Sequence, residues 1–359
     1  MDLKYITYII LGMCILLFVL MALWLLNKSR LNTTNCNDMN ELYKDFGLVH
    51  TINPDNDDFK YNLRDYYIMT AYNACSGGQF KNNVVSICAL KDIIKQGARC
   101  LDFQIYSVND NPVIATSSVA DYTIKETYNS VPFESVIDVI KDYAFAGGTC
   151  PNSGDPLIIH LRIMSNNKKI YTKMATTIEE NLSDFTLGPK YSYENQGKNL
   201  GQTPIADLMG KVIFIADKSN PLFEQTDLDE YINLASNSIF MRALRYTNGL
   251  KNSPDVTELT DFNKKCMSII LPDMASSDDN YPAQLAWSAG CQMAAMCYQN
   301  FDVNLESYSS YFALKGTAFV LKPSSLRYIP VTIPASTPQD PEVSYANRTA
   351  KTDYYSISV

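Results

Sequence analysis

Histidine is nearly missing from this 359-residue chain: His50 and His160 are the only two. A mechanism that needs a pair of imidazoles in one cleft would have to recruit both. A His/Cys zinc site is excluded as well, because no CxxC pair occurs among the nine cysteines, Cys14, Cys36, Cys75, Cys88, Cys100, Cys150, Cys266, Cys291 and Cys297. Those cysteines leave the redox compartment open. Cations are also in short supply: 30 Lys and Arg face 38 Asp and Glu, for a net charge of −8. With no basic stripe anywhere, nucleic acid is excluded as a partner, and broad electrostatic docking on anionic headgroups is disfavoured. What is present is 46% apolar residues against 19% charged, the composition of a folded core.

The longest apolar run, residues 5–26 (YITYIILGMCILLFVLMALWLL), carries no charge. As a helix it would cover about 33 Å, matching a hydrocarbon core of about 30 Å. Tyr5, Tyr8 and Trp24 lie near its ends, where amphipathic rings prefer the headgroup layer. A cleaved signal has a shorter apolar region ending in small residues, whereas this run ends in LLNKSR, so a retained anchor is expected over residues 1–30. Lys4 precedes the run while Lys28 and Arg30 follow it, which favours a cytoplasmic globular side. The sequons at Asn32, Asn181 and Asn347 would accept glycans on a lumenal side. Residues 31–58, rich in Asn and Asp, read as a polar stalk, and 330–359, with several prolines, as an extended tail ending in a disordered terminus or an attachment segment.

Between these, short β-rich runs (YYIMTAYN, CLDFQIYS, PLIIHLRI, KVIFIAD, MSIILP) alternate with helical stretches at 133–145 and 169–185. Strands apolar on both faces and separated by helices predict a parallel sheet, either a closed (β/α)8 barrel or a doubly wound sheet.

The second half distinguishes the two. Asn280-Tyr281, then Trp287-Ser-Ala-Gly-Cys-Gln292, then Tyr298-Gln299, then FVLKPSSLR ending at Arg327 resemble the Y half of the phosphoinositide-specific phospholipase C barrel. IMTAYNA, GARCLDFQ, PVIATS, VPFESVIDVIKDYAF and PLIIHLR resemble its X half more thinly. The resemblance implies an α/β fold, a distorted parallel (β/α)8 TIM-type barrel over residues 59–329, with X-like 59–218 and Y-like 236–329, preceded by one transmembrane helix. It leaves no room for the family's usual lipid-targeting and calcium-sensing modules.

The resemblance also implies a chemistry that these residues do not carry. The family uses two histidines as general base and acid and a calcium that activates the attacking hydroxyl. The two histidine positions hold Tyr72 and Thr116. The metal shell becomes Asn73, Asp102, Gln104 and Arg162, one carboxylate, two amides and a guanidinium, where calcium wants six to eight oxygens. Arg162 reads as a substitute cation paired with Asp102. The phosphate- and inositol-holding positions become Ile215, Asp217, Ile269 and Leu271, with Lys211 and Lys218 the nearest cations. His50 falls in the stalk, and His160 reads as a core histidine.

The expected protein is thus a catalytically inactive, single-pass module, structural or binding, with the bilayer and other proteins as partners, no nucleic acid and no cofactor. Its Asn- and Tyr-rich composition would suit a viral membrane or virion component. The competing expectations are a phosphoric diester hydrolase with an altered site, for which calcium would be the cofactor, and a receptor for a neutral lipid headgroup.

Overall fold

The β-rich runs are too short and too uniformly apolar to present an amphipathic helix, and each becomes a strand buried on both faces. The computed structural model describes residues 3–120, 124–330 and 347–358. Eight strands run parallel around a barrel: β1 (Tyr66–Ala71), β2 (Cys100–Val108), β5 (Leu157–Ile163), β6 (Val212–Asp217), β7 (Leu234–Ser236), β8 (Met241–Arg245), β9 (Met267–Leu271) and β10 (Met293–Met296). Their order is β7-β6-β5-β2-β1-β10-β9-β8, and the ring stays unbonded between β7 and β8. Two short strands, β3 (Asn111–Ile114) and β4 (Val131–Pro132), extend β2 outward, and β11 (Phe319–Leu321) pairs antiparallel with β1. Helices α1 (Leu3–Leu42), α2 (Ile87–Lys95), α3 (Phe133–Val139), α4 (Lys168–Leu182), α5 (Val256–Lys265), α6 (Ala283–Ser288) and α7 (Val303–Lys315) complete the main unit, Met1–Tyr328. Helical spacing puts Phe133, Val136, Ile137, Ile140, Tyr143 and Ala144 on one face; in α3 and the wider turn after it all of these are buried except Tyr143, which is half-buried.

The second-half motif residues hold this barrel together. Gln292 is fully buried; its Oε1 accepts from the Ser268 N–H at 2.8 Å and its Nε2 donates to the Arg64 carbonyl at 2.8 Å. Gly290 sits at φ +73°, a left-handed position that a side chain would strain. Asn280 Nδ2 donates to the Cys297 carbonyl at 3.1 Å while its Oδ1 accepts from the Cys297 N–H at 2.6 Å. Tyr281 donates to the Ile270 carbonyl at 2.8 Å, and the Lys322 ammonium donates to the carbonyls of Asn263 and Gly290 at 3.0 and 3.1 Å. Removing one partner of such a buried pair leaves an unsatisfied group worth about 1–3 kcal/mol.

Two segments differ from expectation in their local structure. The polar stalk is not free chain over its first part: α1 continues without a break to Leu42, and Met39, Tyr43, Val49 and Ile52 are buried. Cys36 is disulfide-bonded to Cys88 in the first turn of α2. A polar-looking segment hid an interface here because only one residue per turn or so faces inward. In the tail, the second unit (Ile329–Val359), Thr349–Lys351 and Ser356–Ser358 pair as an antiparallel hairpin, β12–β13, where an unpaired tail was expected. Most of the Pro-containing tail, 331–346, lies outside the described residues.

Candidate functional site: a guanidinium in the barrel mouth

At the C-terminal ends of the strands, where barrels of this kind carry their chemistry, the inward-facing polar residues of β2 and β5 meet. Asp102 and Gln104 share one face of β2, and His160 and Arg162 share one face of β5, each two residues apart. Parallel pairing sets Asp102 beside His160 and Gln104 beside Arg162. Asp102 is the hub. Its Oδ1 accepts from Arg162 Nε at 2.8 Å and from His160 Nδ1 at 2.7 Å. Its Oδ2 accepts from Arg162 Nη2 at 2.6 Å and from the Asn73 N–H at 3.1 Å. Arg162 Nη2 also donates to Asn73 Oδ1 at 2.8 Å. Asn73 adopts φ +44°, a left-handed position that asparagine tolerates and that turns its side chain to the guanidinium.

Asp102, His160 and Arg162 are all buried. Burial pushes the Asp102 carboxyl up, but the Arg162 guanidinium and the His160 hydrogen bond more than reverse this and hold it well below the usual carboxylate range. Burial likewise opposes the charge on Arg162, and Asp102, then Tyr72, restore it, so its pKa stands above the ordinary value. The site is a closed, fully charged pair.

Tyr72, expected from the resemblance at the first histidine position, is buried with its ring 4.8 Å from the Arg162 guanidinium and edge-on to Phe80. Its hydroxyl lies 3.1 Å from Nη1 of Arg245, the last residue of β8, which also donates to the Pro272 carbonyl at 2.7 Å. Thr116, expected at the second, donates to the Phe80 carbonyl at 3.0 Å. Gln104 accepts from the Ser117 N–H at 3.1 Å. Among the described residues, Gln104 Nε2 and Asn73 Nδ2 have no partner.

Above the pair lies a cleft of about 220 Å³ lined by Gln104, Arg162, Asp217, Asn237, Arg245 and Leu271, among others. Of the four positions that the resemblance assigns to substrate, Asp217 and Leu271 reach this mouth. Ile215 and Ile269 are fully buried strand residues and line no part of it. Asp217 is engaged with the Ser219 N–H and Asn237 Nδ2. Lys218 pairs outside the cleft with Glu194 and Glu224, and Lys211 donates to the Asp184 carbonyl.

Calcium does not fit this donor set. The single carboxylate has both oxygens bonded to the guanidinium, the Asn73 oxygen is taken by the same cation, and no cluster of three or more His, Cys, Asp or Glu exists among the described residues.

Two contacts were not legible from sequence. His160 does occupy the core, but it touches Asp102; its signal was the i, i+2 spacing to Arg162 on one strand face. Arg245 carried no signal, because β8 is short and its place in the ring depends on β9. Ser236 Oγ lies 2.9 Å from His160 Nε2, giving the Ser–His–Asp connectivity of nucleophilic enzymes. Ser236 and His160 are wholly buried, however, and neither lines the cleft, so this is a core polar chain.

A distorted parallel barrel with its polar centre at the strand ends, closed by these second-half motifs, defines a phospholipase C-type barrel. The model of the phosphatidylinositol-specific phospholipase C X domain matches residues 59–218 and that of the Y domain 223–325, and the chain belongs to this family. It is 31% identical over 344 residues to bovine 1-phosphatidylinositol 4,5-bisphosphate phosphodiesterase beta-1, covering 76% of this chain and 28% of the relative. It is 35% identical over 72 residues to human 1-phosphatidylinositol 4,5-bisphosphate phosphodiesterase beta-2, covering 20% of this chain and 6% of that protein. The chain therefore spans about a quarter of these relatives' length or less. In structure it resembles the S. officinalis PLC21 crystal structure, with a TM-score of 0.63 at 18% identity over 75% of this chain and 38% of the other, which bears on the fold alone. An N-terminal helix long and apolar enough to cross a membrane, Lys4–Leu42, precedes the barrel.

Proposed function

We propose that this chain is a membrane-anchored, catalytically inactive phospholipase C-like module that acts as a structural or binding element. The observation that carries the reading is Arg162, whose guanidinium takes both Asp102 oxygens and the Asn73 oxygen. General acid–base cleavage of a phosphodiester needs two groups that exchange protons near neutrality. A buried Arg and a deeply ionised Asp exchange none, and Tyr72 and Thr116 supply neither role. The site needs neither calcium nor any other cofactor. Other proteins and the bilayer holding residues 5–26 are its partners, and a viral membrane or virion is a setting that the composition suits.

A different observation supports a reading of the side of the membrane. The Cys36–Cys88 bond supports an oxidising compartment, since cytosolic thiols are mostly kept reduced. A charge count of one lysine against two cations is a small bias beside a covalent bond, so we place the globular part on the lumenal or exoplasmic side, opposite to the charge-based expectation. Alkylation of the cellular protein before and after reduction reads this directly: two additional thiols after reduction support it, and an unchanged count refutes it.

The activity test is turnover of phosphatidylinositol and phosphatidylinositol 4,5-bisphosphate vesicles by the full chain, with and without calcium. No release above heat-inactivated protein is expected. Calcium-stimulated release would replace this reading by that of a hydrolase with an altered site.

A further inference from the structure

The anchor does not end where its apolar run ends. From Lys28 onward α1 lies along the barrel: the Lys28 ammonium sits 4.1 Å over the Tyr128 ring, Asn35 Nδ2 donates to Asn83 Oδ1 at 2.7 Å, and Cys36 is bonded to Cys88. Farther on, Tyr43 donates to the Tyr298 carbonyl at 2.6 Å, Lys95 donates to the Lys44 carbonyl, and the Gly47 N–H donates to the Lys95 carbonyl at 3.0 Å. The direction of these contacts decides the orientation. Helix α2 leaves the C-terminal end of β1 and descends to the N-terminal end of β2; Cys88 lies in its first turn and Lys95 in its last. Because α1 meets Cys88 through Cys36, and the chain just past its end meets Lys95 through Lys44 and Gly47, α1 runs in the same direction, from mouth to floor. The apolar residues before Lys28 therefore project beyond the mouth face.

We propose that α1 is a rigid strut, clamped by Cys36–Cys88, that holds the barrel mouth facing the bilayer in which its own residues 5–26 are embedded. This rests on that segment spanning a membrane and not on whether the site is inert. The separation is short. Tyr128 meets the helix two residues past the end of the run, about 3 Å along the axis, and the disulfide lies about 15 Å along it. Trp24 and Lys28 lie at this junction, with the lysine 5.1 Å from the indole ring, a pairing suited to the headgroup layer. On the same rim, Val119 and Ile124 are 47% and 55% exposed. The rim is tied to the strut's contacts through the Glu126 N–H on the Thr116 carbonyl and the Tyr128 N–H on the Asn83 carbonyl. Exposed apolar side chains on a rim joined to the strut beside the end of its apolar run have the bilayer surface as their occupant. Leu314, 87% exposed near the end of α7, marks the opposite floor.

The experiment uses the full chain in phosphatidylcholine vesicles, with Cys14 and Cys266 replaced by alanine. A fluorophore is attached at Val119→Cys, Ile124→Cys or Leu314→Cys, and headgroup-nitroxide lipid is the quencher. Quenching at positions 119 and 124 should exceed that at 314 several-fold. Equal quenching at all three, or more at 314, overturns the orientation. Adding Cys36→Ser and Cys88→Ser should shrink the contrast by about half or more, because the helix can then swing. Cooperative thermal unfolding of that variant establishes that it is folded, and an undiminished contrast in the folded variant overturns the clamp.

Discussion

Replacing Arg162 by methionine removes the guanidinium from a carboxylate that cannot reach water. Asp102 would keep only His160 and the Asn73 N–H as partners, losing two hydrogen bonds of 2.8 and 2.6 Å and the facing charge. Breaking one side of a buried pair destabilises by about 3–5 kcal/mol, which for a barrel of this size lowers Tm by on the order of 10 °C. Replacing both partners, Asp102→Leu with Arg162→Met, should recover most of that loss, since an apolar pair of similar volume is often neutral. The pH dependence is a second reading of the same contact. Asp102's folded pKa lies below its unfolded value, so its contribution is present above the ordinary aspartate range near pH 4 and is lost as pH falls below it. Wild type should lose stability on acidification through that window, and Arg162→Met should lose less, because burial without the guanidinium raises the carboxyl. Thermal unfolding followed by circular dichroism from about pH 3 to 7 measures both. An Arg162→Met variant within about 1 kcal/mol of wild type, with the same acid slope, would show that the pair does not hold the site.

Arg162→Glu should be destabilised in chelator and partly restored by millimolar calcium, because the added carboxylate beside Asp102 begins an oxygen shell; a calcium-induced rise in wild-type Tm would refute the metal-free site. Lys322 is buried, which pushes its ammonium down to about 7. Between pH 7 and the ordinary lysine range the unfolded chain holds a proton that the folded chain sheds, so stability should rise with pH there, and Lys322→Met should flatten that slope in pH-dependent melts. Loss of the disulfide through Cys36→Ser with Cys88→Ser releases a loop closed over 52 residues and should lower stability by about 2–4 kcal/mol in denaturant titration; an unchanged midpoint would mean that the bond does not form.

The residues that reveal the family and those that line the barrel's polar centre are legible for different reasons. Asn280, Gln292 and Lys322 hold the barrel through buried side-chain hydrogen bonds to backbone. A backbone partner requires one side-chain shape at one place in the chain, so these motifs persist as linear signals. Tyr72, Asn73, Asp102, Gln104 and Arg162 are legible as one site too, because flanking strand residues set their register. The uncharged run at 5–26 announces a span by length alone.

What only the tertiary structure decided depends on groups far apart in sequence. His160 reaches Asp102 across a strand pair separated by 58 positions, and Arg245 reaches Tyr72 across 173. Cys36 finds Cys88 because α1 and α2 lie side by side, a docking that an Asn-rich segment with one buried residue per turn does not announce. The hairpin at 349–358 depends on cross-strand pairing that short polar strands signal weakly. Periodicity reports which face of an element is buried; which partner lies against that face is set by how eight strands close a ring.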